Sequence, residues 1–61
     1  MNVFLVVLLI ALAPVPVPVN TEMFLTPYAD EAACRAAGAK VLAERGAGGK
    51  EHRYVYACIS I

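Results

Sequence analysis

The sequence predicts a small α/β fold: a strand–helix–strand, βαβ-like unit stapled by one disulfide and preceded by an apolar leader. Three observations carry this reading. Residues 30–46 (DEAACRAAGAKVLAERG) have helical spacing, and residues 53–61 (RYVYACISI) alternate as a strand. All ten charged side chains lie between Glu22 and Arg53, so an uncharged apolar stretch precedes an amphipathic remainder. The expected division is a leader at 1–19 and a domain at 20–61.

Sixty-one residues allow one domain at most, and chains this short bury little apolar surface without a staple or a partner. Five acidic and five basic residues cancel, which leaves no net field to recruit nucleic acid or an anionic membrane surface.

Residues 3–13 (VFLVVLLIALA) form an unbroken apolar run of eleven. That length suits a signal-peptide hydrophobic region and falls short of the roughly 20 residues of a membrane-spanning helix. No Lys or Arg precedes the run, however, and the small-residue site Ala11-Leu12-Ala13 is followed by Pro14. A second cleavage site would follow Val17-Pro18-Val19. The alternating Pro14, Pro16 and Pro18 cannot continue a helix and predict extended polyproline II. In a retained leader this segment is a semi-rigid spacer; in a cleaved one it marks the boundary. It lacks the basic flank of a proline-rich ligand for an SH3-type groove. The competing reading makes residues 3–10 a buried strand, which periodicity alone does not exclude.

Residues 22–26 (EMFLT) read as a short strand with Met23 and Leu25 on one face and Phe24 on the other. Pro27 sets a turn. Thr26 and Asp30 compete as helix cap. Asp30 gives the cleaner apolar register, with Glu31 complementing the helix dipole. From there Cys34, Ala37, Gly38, Val41 and Leu42 share one face. Small residues on that face predict close packing against a sheet, which would offset the roughly 1 kcal/mol that Gly38 costs in helix propensity. Glu31 and Arg35 are spaced for an i,i+4 ion pair, and Gly46 suits the left-handed residue that ends a helix.

Residues 47–51 (AGGKE) are a flexible connection. The glycines before Lys50 are no phosphate loop, because Glu51 stands where Ser or Thr is needed and the glycines follow a helix instead of preceding one. In the last strand Tyr54, Tyr56, Cys58 and Ser60 share one face, while Val55, Ala57, Ile59 and Ile61 share the other. One helix covers only one of them.

Two cysteines allow one disulfide, an inference that gains force if the leader directs export to an oxidising compartment. A Cys34–Cys58 bond would place Tyr54 and Tyr56 under the helix and contribute about 3.5 kcal/mol by restricting the unfolded chain. The sharper alternative is a reactive Cys34 in the first turn of the helix with His52 as base. It lacks an oxyanion site and a third partner, and His52 falls at a polar loop boundary. Two cysteines 24 positions apart and one histidine do not make a structural zinc set, so no metal or other cofactor is expected. No catalytic residue is assigned.

The layout is an apolar leader, Phe24 and Thr26 ahead of Asp30-Glu31-Ala32-Ala33-Cys34-Arg35-Ala36-Ala37, and a closing Tyr56-Ala57-Cys58. It resembles the small exported proteins of unknown function found in bacteriophage and proteobacterial genomes. The resemblance implies export and a disulfide-bonded strand–helix–strand unit; it implies no activity. The PVPVPV segment and the uncharged N-terminus depart from that pattern.

A two-stranded sheet with one helix is marginal alone. Val55, Ala57, Ile59 and Ile61 are therefore the candidate partner interface, for another protein or for self-association through the last strand. The leading expectation is a non-enzymatic periplasmic or envelope protein acting by protein–protein contact, with a phage origin implied by the resemblance. The alternative is a membrane-anchored peptide, toxin-like or lysis-related, whose retained leader contacts the bilayer. A thiol redox protein ranks third, for want of a Cys-x-x-Cys.

Overall fold

The computed structural model describes residues 2–46 and 48–61. Its elements in chain order are β1 (Val3–Ala11), β2 (Val17–Met23), α1 (Glu31–Arg45) and β3 (His52–Ser60). The three strands form one sheet in the order β2-β1-β3, and β1 is antiparallel to both neighbours. The helix packs on one face, over β1 and β3.

The first difference from the expected layout lies at the apolar run. Residues 3–11 are the central strand of the sheet, and the sheet runs across the expected boundary between 1–19 and 20–61. The physical reason lies in backbone pairing. Strands flanking a helix leave polar edges and an unfilled space beneath it, and the first apolar run supplies both the missing ladder and the missing side chains. Val3, Leu5 and Val7 are buried under the helix and form the core with Cys34. Phe24, Tyr28, Val41, Leu42, Tyr54 and Tyr56 pack around them.

The second difference lies in the strand order. The strands on either side of the helix do not pair with each other, because β1 lies between them. Both are antiparallel to β1 and so run parallel to one another. The unit is a βαβ split by a central antiparallel strand, not a contiguous one.

The proline segment also differs from a polyproline spacer. Residues 12–16 connect β1 to β2, with a cis Ala13–Pro14 peptide, and Val17, Pro18 and Val19 begin β2. Leu9 pairs with Asn20 and Ile10 with Pro18, so Val19 is the extra residue of a β-bulge. Val3 exchanges backbone bonds with Tyr28 on the β2 side, at 3.1 and 2.8 Å. On the β3 side Ile61 N–H donates to the Asn2 carbonyl at 3.0 Å. Odd residues of β1 therefore bond towards β2 and even ones towards β3. Pro18, opposite an even residue, turns its missing donor outwards, where an edge strand tolerates proline.

The helix is as its sequence predicts. The Asp30 carboxylate accepts from Ala33 N–H at 2.8 Å, and Arg35 donates to Glu31 at 2.7 Å. Gly46 closes the helix at φ 71°, in the left-handed region. Cys34 and Cys58 are disulfide-bonded across 6.1 Å between Cα atoms, joining the first turn of the helix to β3. Leu5, the strand partner of Cys58, lies beneath.

Candidate interaction surface

Alternation along the strands divides the sheet into two apolar faces. Leu5, Val7 and Leu9 pair with Cys58, Tyr56 and Tyr54, and these residues lie on the helix face. Phe4, Val6, Leu8 and Ile10 pair with Ile59, Ala57, Val55 and Arg53 and lie on the opposite face. On the β2 side that opposite face is extended by Met23, Thr21 and Pro18. No described element packs over it.

Among the residues predicted for this surface, Ile59 is 42% exposed, Ala57 is exposed and Val55 is half-buried by its strand neighbours. Ile61, 80% exposed, lies one residue beyond β3, where its N–H is held by Asn2. The structure brings these residues together with a second set that sequence reasoning missed: Phe4, Val6, Leu8 and Ile10. The signal was present in the apolar run itself. A central strand covered on one face still needs apolar residues of both parities to read as unbroken, and reading the run as a leader assigns neither parity a face.

The helix face is closed more tightly. Gly38 is buried against the ring of Tyr56, and a Cβ on it would stand 2.6 Å from Tyr56 Cγ. The far end of the helix is tied down by Arg45, which donates to both carboxylate oxygens of Glu22 on β2, at 2.7 and 2.9 Å. Its guanidinium carbon also stands 5.4 Å from the centroid of the Tyr54 ring. The hydrogen bonds from Arg45 hold the Glu22 carboxyl below its ordinary pKa, against a smaller opposing effect of desolvation. The same bonds hold the Arg45 guanidinium above its ordinary value.

Other chemistry is sparse. An open hollow at the end of the helix is lined by Gly46, Gly48, Lys50, Glu51 and His52, with one lysine and one glutamate offsetting each other. Among the described residues no three His, Cys, Asp or Glu side chains gather as a metal set. No helix of the described chain is long and apolar enough to cross a membrane. Scans against protein-family models, curated proteins and solved structures each return no match.

Proposed function

We propose that the protein is a non-enzymatic binding protein of an oxidising, extracytoplasmic compartment, acting through the sheet face opposite the helix. The observation that carries this reading is the uncovered apolar set Phe4, Leu8, Ile10, Val55, Ala57 and Ile59, completed by Met23 on β2. Monomeric proteins seldom leave a contiguous apolar surface of this kind in water. The Cys34–Cys58 bond supports the compartment, since disulfides persist where thiols are not kept reduced. Cys34 is fully buried, which argues against thiol exchange as the activity. A phage origin rests on resemblance alone.

The test is photocrosslinking in intact cells from position 59 on the uncovered face and, separately, from Lys40 on the exposed side of the helix. Protein adducts from position 59 and none from Lys40 are expected. Equal adducts from both positions, or adducts from Lys40 alone, would remove the face from the reading. Fractionation tests the compartment, and recovery of folded, bonded protein from the cytoplasm would overturn export.

A further inference from the structure

We infer that the first occupant of the uncovered face is a second copy of the chain, two sheets stacking face to face with their helices outside. This rests on the binding role proposed above and names its partner. The face has little with which to select a foreign protein: its side chains are apolar apart from Thr21 and, at the Ile10 end, Arg53. A surface without charge pattern is complementary to itself, and a two-fold axis places the same patch on both sides. The net charge of zero adds no repulsion between copies.

The size of the face limits the strength of the contact. β1 and β3 have nine residues and β2 has seven, so strand rise and spacing give the sheet a footprint on the order of 400 Å². Two footprints come to about 800 Å², short of the roughly 1,000 Å² of a stable specific interface and in the range of a weak one. That scale fits a dimer that dissociates on dilution. Aligned sheet-on-sheet packing, with the layers about 10 Å apart, is the ordinary way to cover such faces.

A lipid surface is the rival occupant, and the sheet edges argue against it. By the alternation that links even residues of β1 to β3, the backbone groups of Tyr54, Tyr56, Cys58 and Ser60 point outwards from the β3 edge. In hydrocarbon those groups would find no partner, whereas a sheet stacked on a sheet leaves them in water.

The experiment is sedimentation equilibrium of the full, oxidised chain from micromolar to millimolar concentration, with Ile59→Glu and Met23→Glu as variants. Both positions are substantially exposed in the isolated chain, at 42% and 49%, so the fold should survive, as far-UV circular dichroism checks. A concentration-dependent doubling of mass, lost in both variants, is expected. A monomer throughout the range overturns self-association but leaves crosslinking from position 59 to decide the face. A dimer indifferent to both glutamates overturns self-association through this face, and crosslinking from position 59 again decides the face. Co-sedimentation of the monomer with neutral phosphatidylcholine vesicles would assign the face to lipid instead.

Discussion

Gly38 lies against the ring of Tyr56 with no room for a side chain, and the contact turns a helix-breaking residue into a requirement. Replacing Gly38 with alanine would ordinarily strengthen the helix by about 1 kcal/mol. Here the added carbon meets the Tyr56 ring, whose Cβ and backbone belong to a paired strand. Overpacking of this kind costs about 1–3 kcal/mol, so Gly38→Ala should lower the denaturant midpoint. In Tyr56→Leu the same substitution should cost less, and a double-mutant cycle in urea measures the difference. The Glu22–Arg45 pair makes a second prediction. Because folding lowers the Glu22 pKa, its contribution is fully present above the unfolded glutamate value and lost as pH falls through the folded one. Wild type should therefore exceed Glu22→Gln in stability at neutral pH, and acidification should close the gap. Chemical denaturation at a series of pH values reads both effects.

At the scale of elements, the helix and β3 were legible and the sheet was not. The helix announced itself through Asp30, the spacing of Cys34, Gly38 and Val41, and Gly46, all of which act within a few residues. Tyr54, Tyr56 and Cys58 declared one face of β3 by simple alternation. Strand partners depend on residues far apart in sequence, and residues 3–11 carry no local mark separating a buried strand from an export signal. Their place is decided by the space under the helix, which only the assembled molecule contains. The consequence is sharp: residues 20–61, prepared alone and oxidised, should not fold. They would keep the disulfide but lose Val3, Leu5 and Val7 from the core and the backbone partner of both remaining strands. Dispersed amide proton resonances from that fragment would show that β1 is dispensable. Within the full chain, Leu5→Ala should cost about 2–5 kcal/mol, judged by thermal unfolding.

For the molecule as a whole, stability should depend on oxidation. The bond between Cys34 and Cys58 spans 24 positions, and its loss should remove about 3.5 kcal/mol, a large part of what a small domain holds. Reduction should therefore unfold much of the population at ambient temperature, with intact mass after alkylation reporting two newly reactive thiols. The strand that completes the fold also has an awkward place in time. The partners of Val3–Ala11 on one side are His52–Ser60, synthesised more than forty positions later. Such non-local pairing cannot begin until the distant segment exists, which makes it intrinsically slow. Throughout that interval the β3 side of the most apolar stretch of the chain has no partner, although β2 is at hand for the other side.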